Sequence, residues 1–590
     1  MLFHRIKDAV YKRWFSLTVL LAAVIIASAT YFERNLMISS LRNATFYCIF
    51  ALFLAWAFIT LLYLIDIKFS ARRFLEQNWR GLLFSLLVSI VVFISLKPYF
   101  RILSDETNLL SVSRSMLYSK TADNLTEGSF FYGSIAPINS VIEKRPYLFP
   151  FFTYLAHTVT GYNVSNPFVV NFILFFILLA ALQIFMSAHL GPAYGYSAVL
   201  LVAAQPVIAQ CATSAGMDLA MALFSFLSFA ALTAFLKDSD NPVKFQLLWI
   251  NLLMLANTRY EAAAFLAAVV IMLFIFKRVK LSHFDNLLVY ITPLLMLPVF
   301  WQRVCRTTDF EVPPGSSAFS LSFLAEHTLT FFKTLFSFTL YYPYAEIICI
   351  LGLISALYFL YLLLNNSWPS GQPMRQAAWI TFACLLIHWI TVNSYYFGLA
   401  IQPACSRLFF LPVFVLSLLA VLLLSKIVYL KEKEYLLILF SAALFLYYNP
   451  ISIANRFSST MTIPKAYKQQ IAFLKKQGME RITVICERPG QFIVHNYGAY
   501  GFHYAKWHSA FILKQLKEMY YERLYVIQNI LYETNNPVPS EELPKDFQLR
   551  TLYSIRISTY SYSRISEVVS PPYSAPPVET TPVKKEKTGK

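Results

Sequence analysis

From residue 17 to residue 448 the chain returns again and again to apolar runs close to the length that a helix needs to cross a bilayer. A soluble domain cannot bury so many runs of that length in one core, so the repetition constrains the fold before any motif is read. About 13 runs qualify, from Leu17–Tyr31 to Tyr435–Tyr448. Only 14% of the residues are charged, well below the share usual in a soluble protein. The expected fold class is an α-helical polytopic membrane protein.

Lysine and arginine set the orientation. One set of short connections collects Arg5, Lys7, Lys12, Arg13, Lys68, Arg72, Arg73, Arg80, Lys237, Lys244, Lys277, Arg278, Lys280, Arg375, Lys426, Lys431 and Lys433. The other set holds only Arg34, Arg42, Arg259, Arg303, Arg306 and Lys333. The richer set belongs in the cytoplasm, so the N-terminus is expected inside and the C-terminus outside. The +18 net charge is mainly a topology and headgroup signal, and no nucleic-acid partner is expected. Ala27-Ser28-Ala29 resembles a signal-peptidase site, and cleavage there would remove the first span without inverting the rest.

The expected division is residues 1–80 as two N-terminal spans and 81–448 as a membrane core with a large outer loop, 97–166. Residues 449–566 follow as an extracytoplasmic α/β domain. That domain reads as a helix (Lys465–Gln477), a strand (Ile482–Cys486), a second helix (Ser509–Tyr520) and a second strand (Leu524–Gln528). Residues 567–590 are rich in Pro, Ser, Thr and Lys and are expected to be disordered.

Seven cysteines are scattered without metal spacing, and Cys305 and Cys405 fall in outer loops where an oxidising compartment could pair them. Walker, Rossmann and His-x-Glu-x-x-His patterns are absent, which removes ATP-driven and nicotinamide chemistry.

The ionisable residues inside or beside the spans fall on one side. Asp105 and Glu106 follow the run Leu82–Leu96, and Asp218 opens Ala215–Leu236. Arg259 and Glu261 form a tight turn, Glu346 begins a span, and Arg407 begins Leu408–Leu424. All are expected at the outer face, with almost nothing ionisable at mid-membrane. Ion-coupled transport needs polar groups near the midplane, whereas headgroup chemistry needs them at the surface. A carboxylate pair beside lipid is by default a working site. It equally suits the first turn of a helix along Thr107–Tyr118, where the dipole favours negative charge.

Ser104-Asp105-Glu106-Thr107, then Glu143-Lys144-Arg145-Pro146-Tyr147-Leu148-Phe149-Pro150, then Gly161-Tyr162 and Asn171 resemble the first outer loop of GT-C glycosyltransferases. The likeness extends to the protein mannosyltransferases that use dolichyl-phosphate mannose and to the aminoarabinose transferases of lipid A. Ser214-Ala215-Gly216-Met217-Asp218 is similar to that superfamily's second acidic motif, and Arg407-Leu408-Phe409-Phe410-Leu411-Pro412 to its late Arg-x-x-x-x-Pro element. The resemblance covers roughly Leu82 to Leu424. It implies an inverting transferase that moves a sugar from a polyprenyl-phosphate donor to a glycan, lipid or protein acceptor at the outer face of the cell membrane.

Asp105 is then the expected base, with Glu106 orienting a neighbour or helping to hold a divalent ion. Asp218 fixes the acceptor or a cation, and Lys144, Arg145, Arg259 and Arg407 are candidates for the donor phosphate. The aromatic stretch with Tyr497, Tyr500 and Trp507 is a candidate acceptor platform, or simply the core of its own domain. A glycolipid transporter or flippase and a non-catalytic membrane scaffold are the alternatives.

Overall fold

A computed structural model describes residues 21–25, 33–305, 317–337, 343–365, 371–427, 432–448 and 462–569. Among these, seven helices are long and apolar enough to cross a membrane, or eight if one bent pair counts as a span. The seven are Arg34–Asp66, Ala71–Ser95, Asn166–Leu190, Asp218–Lys237, Glu346–Leu364, Gly371–Asn393 and Ser406–Leu424. Four shorter apolar helices accompany them: Pro242–Ala256, Tyr260–Ile275, Leu287–Gln302 and Glu434–Tyr447. Most of the run Leu17–Tyr31, all of Ala27-Ser28-Ala29 and the tail beyond 569 lie outside the described residues. The strand Ser561–Val568 carries regular structure past Glu567, where the sequence suggests that order ends.

The chain divides into two compact units. The first holds 1–126 and 139–464. Its bent pair, Pro192–Ala203 and Pro206–Ala212, turns by 79° at Gln205. Proline at 206 removes a backbone donor and biases Gln205 away from helix. The buried Gln205 amide ties the break to its neighbours: it donates to Ser417 Oγ at 2.9 Å and accepts from the Ala345 N–H at 2.8 Å. Glu346–Leu364 packs on the last long span through Gly352, where an added Cβ would lie 2.2 Å from the Leu416 carbonyl oxygen. Small residues let helix backbones approach this closely.

The second unit holds 127–138 and 465–590, so a hairpin from the long loop after the third apolar run joins the tail domain. Its seven-stranded sheet runs β2-β1-β4-β3-β5-β7-β6. The strands are β1 (Asp123–Phe131), β2 (Ser134–Ile142), β3 (Ile482–Ile485), β4 (Gly498–Tyr500), β5 (Arg523–Leu531), β6 (Leu549–Arg556) and β7 (Ser561–Val568). β4, β3 and β5 are parallel, while β1 and β7 add antiparallel on either side. β3 and β4 at the parallel centre are buried along their whole length and mostly apolar, as strands covered on both faces require. Alternation along β5 sends Tyr525 toward Phe473 of the helix Thr462–Lys476, and Leu524 and Val526 into a core with Ile512 of the helix Ser509–Lys517. Tyr132 and Gly133 both have positive φ, the two-residue turn that suits the twist of the β1–β2 hairpin.

Gly352→Ala should lower stability by about 1–3 kcal/mol through forced separation of two backbones. The measurement is thermal unfolding in detergent, and an unchanged midpoint would contradict this close packing.

Candidate functional site

The site grows from the stretch after the helix Ala71–Ser95. Leu96–Ile102 is not helical, and a new helix, Leu103–Tyr118, starts with Asp105 and Glu106 in its first turn. The sequence suggests an amphipathic segment at the membrane surface, but most of this helix is buried, both acids included. Burial is tolerated because each carboxylate has partners.

Glu106 turns back on its own helix start. It accepts from the backbone N–H groups of Arg101 at 3.1 Å, Ile102 at 3.0 Å and Ala215 at 3.1 Å. Burial pushes its carboxyl up from the ordinary range, and the Ala215 N–H and the Arg101 charge offset part of that rise. The Ala215 contact fixes the turn before Asp218, and Asn171 fixes the same turn by donating to the Ser214 and Gly216 carbonyls at 2.7 and 2.9 Å.

Asp105 faces the other way. One carboxylate oxygen accepts from Arg145 and the other from Arg407. Arg145 also reaches Glu143 at 2.6 Å. Arg407 continues to Asp218 at 3.3 Å, Asp218 pairs with Arg259, and Arg259 meets Glu261 at 2.5 Å. The result is one alternating series, Glu143–Arg145–Asp105–Arg407–Asp218–Arg259–Glu261. Burial alone would raise the Asp105 carboxyl, but Arg145 and Arg407, with Lys144 behind them, outweigh it and hold it below the usual range. Burial opposes charge on Arg145 as well, and Asp105 and Glu143 more than restore it.

Two braces hold the arginines in place. Gln302 donates its amide to the Glu143 and Arg145 carbonyls. The 3-10 turn Ser406–Phe409 is held by the Tyr344 hydroxyl on the Ser406 carbonyl at 3.1 Å and by His388 Nε2 on the Leu408 carbonyl at 3.1 Å. Sequence reasoning missed Gln302, Tyr344 and His388. The one visible signal was a lone amide or imidazole within an otherwise apolar run.

The structure therefore brings together Asp105, Glu106, Asp218, Arg145, Arg259 and Arg407, with half-buried Lys144 acting electrostatically on Asp105. Glu346 lies outside the series and accepts from the Tyr448 hydroxyl at 2.8 Å. The acceptor platform is corrected in part: Tyr500 is fully buried, its hydroxyl donating to Gln515 Oε1 at 2.6 Å and lying 2.7 Å from Ser129 Oγ, and Tyr497 is buried too. Trp507 alone of the three presents its ring, 74% exposed. Cys405 is a buried free thiol, and the side chain of Cys305, its candidate partner, lies outside the described residues.

A resident divalent ion does not fit this arrangement. Such ions take several oxygens free of competing cations, whereas Asp105 and Asp218 are both engaged by arginines. Among the described residues no group of three or more His, Cys, Asp or Glu gathers for a metal.

Beneath the series lies a cavity of about 840 Å³ with a mainly apolar lining. Phe265, Leu411 and Pro412 line it near the charged residues, and Lys237 and Lys426 lie at the far ends of their helices.

Membrane-length helices with a buried ionic series at one end define a multi-pass membrane protein. No protein-family profile matches the chain, and no curated protein sequence does. Among solved structures it is similar to ArnT from Cupriavidus metallidurans bound to undecaprenyl phosphate, at 12% identity, covering 85% of this chain and 99% of that one with a TM-score of 0.45. It is also similar to the Archaeoglobus fulgidus oligosaccharyltransferase tethered with an acceptor peptide containing the NVT sequon, at 10% identity, with coverages of 78% and 70% and a TM-score of 0.42.

Asp218→Asn should cost about 3–5 kcal/mol, because it leaves Arg259 and Arg407 short of a buried counter-charge. Denaturant or thermal unfolding of the purified protein reads this loss. A shift under 1 kcal/mol would mean that the pairs are solvated.

Proposed function

We propose that this protein is an integral-membrane inverting glycosyltransferase that takes a sugar from a polyprenyl-phosphate donor at the extracytoplasmic face. The observation that carries the reading is Asp105 held between Arg145 and Arg407 at the membrane-surface end of the bundle. We count the bent pair, the shorter helices and the run Leu17–Tyr31 as crossings, about 13 in all, and the lysine and arginine bias then favours an N-terminus inside and a C-terminus outside.

Transfer with inversion needs a base for the acceptor's proton and cations for the leaving phosphate. Arginine forks match phosphate oxygens better than a single carboxylate oxygen each. The donor phosphate then competes with Asp105 for Arg145 and Arg407. Asp105, with fewer cations beside it, becomes a stronger base just when the donor is in place. Asp218 keeps Arg259 and Arg407 aimed at the phosphate, Lys144 adds charge at the rim, and Glu106 holds the helix start that presents Asp105. The apolar cavity, lined by Leu411 and Pro412 one turn after Arg407 in the chain, suits the isoprenoid chain. The acceptor is expected from the outer side, and exposed Trp507 in the second unit is a separate candidate for sugar stacking.

Asp105→Asn should reduce transfer by about 10²–10⁴-fold while donor binding persists. The assay is single-turnover transfer from a supplied polyprenyl-phosphate sugar, with bound donor followed by native mass spectrometry. Full activity in the variant would remove Asp105 as base. Arg407→Gln should weaken donor binding and, by relieving Asp105 of one cation, raise its pKa. The acid limb of kcat/KM then moves to higher pH than in the wild type, and a limb that stays in place would detach Arg407 from Asp105.

A further inference from the structure

We propose that Arg114 anchors a second anion site, separate from the ionic series, that takes the phosphate of a lipid headgroup. Arg114 lies on the helix Leu103–Tyr118 and is only 8% exposed. Its Nε and Nη1 have no hydrogen-bond partner, and among the described residues no carboxylate lies within ion-pair distance of it. Every arginine of the ionic series has an acid, and Arg101 has the Gln210 and Thr213 carbonyls. A buried guanidinium without a partner is disfavoured unless an anion completes it.

The surroundings are those of a receptor rather than a core. The guanidinium carbon stands 5.7 Å from the Tyr118 ring centroid and 5.6 Å from that of Tyr162. These rings hold the charge in place by cation–π attraction without using its N–H donors. Behind them, Ser113 Oγ lies 3.2 Å from His157 Nε2, and Asn166 Nδ2 lies 2.7 Å from His157 Nδ1. Ser113 precedes Arg114 on its own helix, and His157 and Asn166 come from the two helices that follow, Leu148–Thr160 and Asn166–Leu190. Burial lowers the His157 imidazole to about 4, so at neutral pH it adds no charge to compete with Arg114.

Two features separate this site from the donor phosphate and point to lipid. Nine residues divide Asp105 from Arg114, about 13.5 Å along the axis and half a turn around it. Tyr118, whose ring faces Arg114, is 67% exposed, an aromatic edge of the kind found at the bilayer interface. An arginine flanked by tyrosines at that edge matches a phosphate held at headgroup level.

The test uses the full chain in detergent with phosphatidic acid, diacylglycerol of the same acyl chains and inorganic phosphate as probes. Native mass spectrometry and thermal unfolding provide the readouts. Wild type should bind phosphatidic acid at least tenfold more tightly than Arg114→Met and show a raised unfolding midpoint that diacylglycerol does not give. Arg114→Lys should keep part of the effect. Equal affinity in wild type and both variants would overturn the site. Equal protection of the wild type by phosphatidic acid and diacylglycerol would also overturn it, even if neither variant folds. Protection by inorganic phosphate at the same concentration would overturn the lipid assignment.

Discussion

Everything at the charged end of the bundle depends on the two salt bridges that Asp105 makes at once. A single carboxylate linking Arg145 to Arg407 joins the long loop to a turn some three hundred residues later. Asp218 repeats the arrangement between Arg407 and Arg259. Four carboxylates meet three guanidiniums, and Lys144 supplies the fourth positive charge. Burying so many ions is tolerable only because the charges alternate and nearly cancel. The same balance means that their energies are not separable, since altering one member changes the field at all the others.

These contacts also constrain the path of the chain. Asp105 and Arg145 come from the long loop, and Asp218, Arg259 and Arg407 from three further connections, yet all meet at one place. The chain must therefore cross the bundle an even number of times between each pair. Lysine and arginine counts lead to the same arrangement by independent physics, through the cost of moving cations across a bilayer.

The residues in the ionic series were legible because charge beside apolar runs is expensive and stands out. Asp105, Asp218, Arg259 and Arg407 announce themselves in this way, and Arg145 lies within a recognisable loop motif. What the sequence hid was pairing. Nothing local says that Glu106 takes three backbone N–H groups while its neighbour takes two arginines, although adjacent positions on a helix point about 100° apart. Gln302 and His388 stayed invisible because a lone polar residue in an apolar helix has many uses. In the tail, β3 and β5 were readable as apolar strands. β1 and β2 were not, because their partners lie far along the chain, and Tyr500 looked like a binding aromatic until its hydroxyl was found between Ser129 and Gln515.

The hairpin donated by the long loop has a consequence for biosynthesis. β1 pairs with β4, yet Gly128 emerges from the ribosome long before Ala499. Until the tail is made, the hairpin has no neighbour on that side, and β4 has an open edge until the hairpin arrives. An unpaired edge is a template for wrong partners, and such non-local pairing is slow to form. The sheet can close only after the last membrane segments have been delivered. Its completion therefore requires the long loop and the tail to have reached the same side.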